Sequence, residues 1–261
     1  DDLVAYDYDS IMHYGRTAFS TTGMDTITPT NLAAIIGQRN GLSNIDIISV
    51  NSTYSNTSFK MQTGSVLHET DSRFAFWLAS SGDLFAIKKS GTGSNSTEVH
   101  VLSAASNYQS YSLQTGSALH ETDSTFAFCL ASNGDLFAIK KSGTGSNSTE
   151  VHVLSAASNY QSYSLQTGSA LHETDATFEF ALAPNCDLFA IKKSNTGTRL
   201  TEVHVLSFTS NYQQYILQTG TVLHQTDDSF TFDVTTSRDL FAIKKRNTGT
   251  NSTEVHIIDL P

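Results

Sequence analysis

Between residues 74 and 258 the apolar positions fall in short runs, separated by stretches rich in Gly, Ser, Thr and Asn. One set shows the pattern. Phe126-Ala-Phe-Cys-Leu-Ala131 ends at Asn133-Gly134, a pair suited to the positive φ angles of tight hairpins. Leu136-Phe-Ala-Ile-Lys140 follows, then the polar loop 142–147. A third run is Glu150-Val-His-Val-Leu154, and a fourth is Ser162-Tyr-Ser-Leu-Gln166, which Gly168 is expected to stop. The first two runs are apolar on both faces, as expected of a sheet packed between two others. The spacing therefore predicts four-stranded meanders covered on both sides, which is the blade of a β-propeller.

The set recurs every 52 residues. Phe74, Phe126, Phe178 and Phe230 keep that interval, and Asp83, Asp135, Asp187 and Asp239 each open an identical Asp-Leu-Phe-Ala-Ile-Lys-Lys. Residues 74–125 and 126–177 differ only at Trp77/Cys129, Ser81/Asn133 and Ser124/Ala176. The array begins with a lone fourth-type strand, Phe59-Lys-Met-Gln62, and finishes on a first-to-third set closing at Ile257-Ile258. Those two pieces sum to one blade, and joining them would remove the open sheet edges. The fold class expected is mainly β: a four-bladed propeller over residues 55–261 with a composite closing blade. The rival arrangement is an open array completed by other copies.

Residues 1–54 lack the repeat. Ser43 followed by Asp46 reads as a helix start, with a side-chain cap and an acid in the first turn. Leu42, Ile45, Ile48 and Val50 would give a short helix, ending near Tyr54, a partly apolar face.

Composition narrows the function classes. With 25 acidic and 15 basic side chains the net charge is −10, which argues against a nucleic-acid partner. No apolar run approaches the roughly 20 residues of a membrane-spanning helix. Cys129 aligns with Trp77, Ala181 and Asp233, and Cys186 with Gly82, Gly134 and Arg238, so both read as incidental thiols. The chain starts at Asp1-Asp2 without an initiator methionine and reads as a piece of something longer.

Three repeated polar sets invite a functional reading. His68, His120, His172 and His224 form one ring of imidazoles, and His100, His152, His204 and His256 another. Either ring could in principle bind a metal, but each histidine is also a scaffold residue copied with its blade. The Lys-Lys pairs at 88–89, 140–141, 192–193 and 244–245 suit solvated strand ends better than polyanion sites in so acidic a chain. Asn107-Tyr108, Asn159-Tyr160 and Asn211-Tyr212 place an aromatic beside an amide, the pairing that grips sugars by stacking and hydrogen bonding. The same tyrosines could instead pack between blades. The composite blade carries Ser55-Asn56 at this position. Asn-x-Ser/Thr acceptors occur at Asn51, Asn56, Asn95, Asn147 and Asn251.

The segment Tyr6-Asp-Tyr-Asp-Ser-Ile-Met-His-Tyr-Gly15 resembles the Met-turn of the astacin family of zinc metalloendopeptidases, where Ser-x-Met-His-Tyr is a hallmark. The likeness continues through Ala18-Phe19-Ser20, Thr28-Pro29, Ile36-Gly-Gln-Arg39, Leu42-Ser43, Asp46-Ile47 and Val50-Asn51. By that resemblance Met12 forms the apolar floor beneath the metal, and Tyr14 is the tyrosine that ligates zinc and stabilises the oxyanion. The family holds zinc with His-Glu-x-x-His-x-x-Gly-x-x-His, and no such motif occurs here. His68-Glu69, His120-Glu121 and His172-Glu173 begin one, but Ser72, Ser124 and Ala176 stand where its second histidine belongs.

Two expectations follow from the resemblance and the repeats. One is the C-terminal part of a secreted astacin-like zinc endopeptidase (residues 1–54), fused to a propeller (55–261) that docks a protein, peptide or glycan partner. Zinc would belong to the intact enzyme, where zinc-bound water attacks the peptide carbonyl, and this chain alone would bind none and be inactive. The other is a stand-alone propeller that binds carbohydrate or protein and has no catalytic activity. The propeller resembles, in architecture and in its Leu-Phe-Ala-Ile strand, the short-repeat propellers of lectins and secreted microbial hydrolases.

Overall fold

The structure is a computed structural model that describes residues 6–53, 61–249 and 252–261. The chain divides into two compact units, 1–62 and 63–261.

The second unit holds four antiparallel sheets built from the repeats. Blade 1 comprises β1 (Phe74–Leu78), β2 (Leu84–Lys88), β3 (Ser96–Leu102) and β4 (Tyr111–His120), in sheet order β1-β2-β3-β4. Blade 2 repeats this with β5 (Phe126–Leu130), β6 (Leu136–Lys140), β7 (Ser148–Leu154) and β8 (Tyr163–His172). Blade 3 is β9 (Phe178–Leu182), β10 (Leu188–Lys192), β11 (Leu200–Leu206) and β12 (Tyr215–His224). Blade 4 has three strands among the described residues: β13 (Phe230–Val234), β14 (Leu240–Lys244) and β15 (Glu254–Ile258). The first strands of all four blades line a common central cavity of about 280 Å³, to which Trp77, Cys129, Ala181 and Asp233 contribute. This is a four-bladed propeller arrangement, mainly β, with one short α-helix among the described residues.

The first strands obey the hairpin signal. Gly134 takes φ +88°, and its N–H donates to the Ala131 carbonyl. Cys186 and Arg238 hold the same left-handed position at φ +66° and +75°, where a side chain is strained.

The fourth strand runs further than the sequence suggested. Gly168 does not stop β8, which continues to His172 and pairs Ser148 with His172 across a bulge. The reason is a close approach. A Cβ on Gly168 would lie 2.6 Å from Ser148 Oγ, so the bare glycine lets the third strand press in and the pairing resume.

Between blades the apolar faces interlock. Val99, Val101 and Phe85 of blade 1 pack with Phe128, Leu136 and Ala138 of blade 2. The same chemistry recurs between blades 2 and 3, and between blades 3 and 4. The seam from blade 4 to blade 1 is different. Val255 and Ile257 are 57% and 63% exposed, whereas their counterparts Val203 and Val205 are buried. Phe76 of blade 1 is 45% exposed, although Phe128, Phe180 and Phe232 are buried. Part of the strand expected at 59–62, residues 59–60, and the Ser55-Asn56 pair lie outside the described residues. Met61 and Gln62 are described and are not in a strand.

In the first unit α1 (Asn44–Thr53) starts as expected. Ser43 Oγ accepts the Asp46 N–H at 2.8 Å, and the Asp46 carboxylate accepts the Ser43 N–H at 3.0 Å. This is a reciprocal capping box with an aspartate in the glutamate's role. The expected apolar face is not buried, since Leu42, Ile48 and Val50 are exposed.

Candidate functional site

The turn 10–14 is suspended from residues far along the chain. Ser10 Oγ donates to Asp46 Oδ1 at 2.6 Å, and the Ile11 N–H donates to Asp46 Oδ2 at 2.9 Å. One carboxylate thus caps α1 and anchors the turn together. These donors, Ser10 first, hold the Asp46 carboxyl below its ordinary value of 3.8. A lowered carboxylate pKa stabilises the folded form above the ordinary value, and that contribution fades as pH falls through the folded pKa.

The other side of the turn is held by cations and amides. Arg39 Nη1 donates to the carbonyls of Ile11 at 2.8 Å and His13 at 3.0 Å. Gln38 Nε2 donates to the carbonyls of Asp9 and Gly41, each at 2.7 Å. Gly37, at φ +83°, lies so close that a Cβ there would meet Gly15 Cα at 2.3 Å. These contacts use the turn's own backbone groups, so its shape is set without a buried apolar core.

The turn displays its side chains outward. Met12 is exposed, and Tyr14 is 54% exposed, with its ring edge-on to Phe19 at 5.0 Å. His13 is engaged on both ring nitrogens, with Tyr6 Oη at 2.8 Å and the Tyr14 carbonyl at 2.8 Å. Beside it, Tyr6, Tyr8, His13 and Pro29 line a cavity of about 420 Å³. Among the described residues no three His, Cys, Asp or Glu side chains converge as a metal site. One phenol is not a zinc site, so the donors around Tyr14 among the described residues do not fit zinc on their own.

In the propeller the rings of the His100 set are tied to neighbouring strands. His100 Nε2 lies 3.2 Å from Glu98 Oε2, and His100 Nδ1 lies 3.2 Å from Gln114 Nε2. His152 repeats this with Glu150 and Gln166, and His204 keeps Gln218 at 3.3 Å. Burial pushes the His204 imidazole below its ordinary value, which favours the neutral ring of a structural link. In the other set, the Thr97, Thr149 and Thr201 hydroxyls donate to the backbone carbonyls of His120, His172 and His224.

The Asn-Tyr pairs sit at turns beside the blade seams. Asn107, Asn159 and Asn211 adopt left-handed φ of 54°, 50° and 51° and end short 3-10 turns at Ala104–Ser106, Ala156–Ser158 and Phe208–Ser210. Tyr160 and Tyr212 are buried between blades, and Tyr108 is half-buried. Their hydroxyls donate to the carbonyls of Gly134, Cys186 and Gly82 at 2.9, 3.0 and 3.0 Å. Burial pushes the Tyr160 phenol up to about 12 and raises Tyr212 as well. The rings of Tyr160 and Tyr212 are covered and offer no face for a sugar to stack on.

The first unit also has recognisable relatives. The family model Astacin (Peptidase family M12A) matches residues 2–55. Zinc metalloproteinase nas-15 of Caenorhabditis elegans is 53% identical over 49 residues, which is 19% of this chain and 9% of that protein. The low choriolytic enzyme of Oryzias latipes is 58% identical over 50 residues, 19% of this chain and 18% of the relative. High choriolytic enzyme 1 of the same fish is 59% identical over 51 residues, covering 19% of each. The chain thus spans less than a fifth of the length of these relatives, and its residues 2–55 are homologous to part of the astacin-family metalloproteases.

Proposed function

We propose that residues 1–54 are the C-terminal part of the catalytic domain of a secreted astacin-like zinc endopeptidase, and that the propeller docks its protein or peptide substrate. The observation that carries this reading is the turn 10–14, anchored by Asp46 and Arg39 with Tyr14 projecting into solvent. Its hydroxyl, held on a rigid turn, is suited to donate a hydrogen bond to negative charge developing on a substrate carbonyl. The zinc ligands are not in this sequence, so the hydrolytic chemistry is proposed for an intact enzyme to which this turn contributes Met12 and Tyr14. The alternative is a binding propeller without catalysis, to which residues 63–261 contribute the four sheets.

A chimera separates the two. Residues 2–55 of this chain replace the matching segment of the low choriolytic enzyme, and peptide hydrolysis is followed with Tyr14 and with Tyr14→Phe. The expected result is an active chimera whose Tyr14→Phe variant loses roughly 10²-fold in kcat with little change in KM, the mark of a contact made in the transition state. A folded chimera with no activity, or one indifferent to Tyr14→Phe, would overturn the catalytic reading.

A further inference from the structure

We propose that Asn95 and Asn147 are acceptors for N-linked glycans, added before their blades close and carried afterwards on the rims of blades 1 and 2. Both stand in Asn-Ser-Thr triplets, 95–97 and 147–149, at the same place in their repeats. Modification of them in the native setting requires the secretory route proposed above, and the fold selects these two sites. Each asparagine lies near the end of the loop between the second and third strands, β2 to β3 or β6 to β7. There it takes a left-handed φ, 55° at Asn95 and 53° at Asn147, which Asn tolerates better than most side chains do. Both residues are exposed, and neither side-chain amide enters a hydrogen bond among the described residues. A glycan on either nitrogen would displace no contact of the fold.

The third residue of each triplet sets the timing. Thr97 and Thr149 are fully buried, and their hydroxyls donate to the His120 and His172 carbonyls, each at 2.9 Å. The same hydroxyls lie 3.2 and 3.1 Å from those of Thr122 and Thr174. Ser96 and Ser148 are paired with His120 and His172 across the sheet. A glycan transferase reads this hydroxyl in an extended acceptor, and the finished blade presents neither the hydroxyl nor a free strand. Transfer therefore precedes blade closure. In that step the asparagine amide nitrogen bonds to the anomeric carbon of a lipid-diphosphate-linked oligosaccharide. The bond from that carbon to the diphosphate oxygen breaks, the lipid diphosphate leaves, and one amide proton is released.

Blade 3 separates what the scaffold needs from what a transferase needs. Thr201 keeps the bonds to the His224 carbonyl and the Thr226 hydroxyl, at 2.9 and 3.1 Å. The asparagine's place is held by Arg199 at φ 62°. The blade thus requires the threonine and does without the asparagine. Glycans on Asn95 and Asn147 would cover the rims of blades 1 and 2 and leave that of blade 3, with Arg199, open to the docked protein proposed above.

The 261-residue chain is expressed in animal cells behind a supplied signal peptide, so its entry into the secretory route is independent of the protease reading, which the chimera tests. Glycans are released enzymatically in heavy-oxygen water, which turns each occupied asparagine into a labelled aspartate. Tryptic fragments 90–140 and 142–192 differ in sequence, at Ser124 and Ala176 among other positions, so the two sites are read separately by mass. We expect label at both asparagines. Asn95→Asp and Asn147→Asp should each remove the mass of one glycan from the intact chain while keeping a residue that tolerates the left-handed φ. A second arm offers purified transferase and its lipid-linked donor to the folded, unglycosylated chain and to a synthetic peptide of the sequence at 91–101. The peptide should be modified and the folded chain spared. Absence of label at both asparagines overturns the proposal, and transfer to the folded chain at the peptide's rate overturns the requirement for an open blade.

Discussion

The first unit and the propeller are stabilised in different ways. Around the turn 10–14 the structure is held by side chains that reach backbone groups: Asp46, Arg39 and Gln38 each satisfy two or more. In the propeller the same role falls to apolar seams, where Ile139, Val151, Leu188 and Leu206 are fully buried. A polar scaffold fixes one exposed turn and leaves its side chains available for chemistry. A repeated apolar scaffold fixes a large frame whose identity at any one position matters less. The contrast explains why a tyrosine is displayed in one region and buried in the other.

The contrast can be sharpened first inside the propeller. Phe137 is buried against Tyr212, while Phe241, at the same place in blade 4, is half-buried. Phe137→Ala is expected to cost about 3–5 kcal/mol, as truncation of a packed core aromatic does. Phe241→Ala should cost less than half of that, and chemical denaturation of the two variants measures the difference. Equal losses would mean that the seam between blades 4 and 1 is closed in solution.

In the first unit, a single methyl group should do comparable harm. Gly37→Ala sets a Cβ against Gly15 and forces a left-handed φ of +83° on an L side chain. The φ penalty alone is about 1–2 kcal/mol, and the steric contact adds to it. Hydrogen exchange should show faster exchange at the Ile11 amide with the propeller amides unchanged.

The smallest effect has the opposite sign. Cys186 occupies a position where blades 1 and 2 use glycine, at φ +66°. Cys186→Gly should relieve strain and stabilise the propeller by about 0.5–1 kcal/mol, after the entropy cost of the added glycine. Thermal unfolding followed by circular dichroism would detect the shift, and a loss of stability would show that the Cys186 side chain contributes packing that outweighs its strain.

Much of this architecture was legible in the sequence. The 52-residue interval, the Asn-Gly hairpins and the Leu-Phe-Ala-Ile strands depend on local patterning and on copying, and both are visible in one dimension. The Ser43–Asp46 cap was legible for the same reason, since its partners are three residues apart. Other features depended on approach between distant segments. Gly168 looked like a strand stop because isolated glycines often are; next to Ser148 it is what allows the strand to continue. The Asn-Tyr pairs looked like sugar clamps because exposed aromatics do that work, and burial can only be read once the neighbouring blade is in place. Asp46 gave no sign that it also anchors Ser10 and Ile11, 36 and 35 residues away.

The sequence by itself determined the blade, the number of its copies, the helix cap and the Ser-x-Met-His-Tyr segment, because each is written in neighbouring residues or in repetition. The tertiary structure decided which tyrosines are covered, how far the fourth strands run and which seam residues stay exposed. Those outcomes depend on which faces meet. Near-identical repeats acquire different surroundings when one lies between two neighbours and another lies at the end of the array.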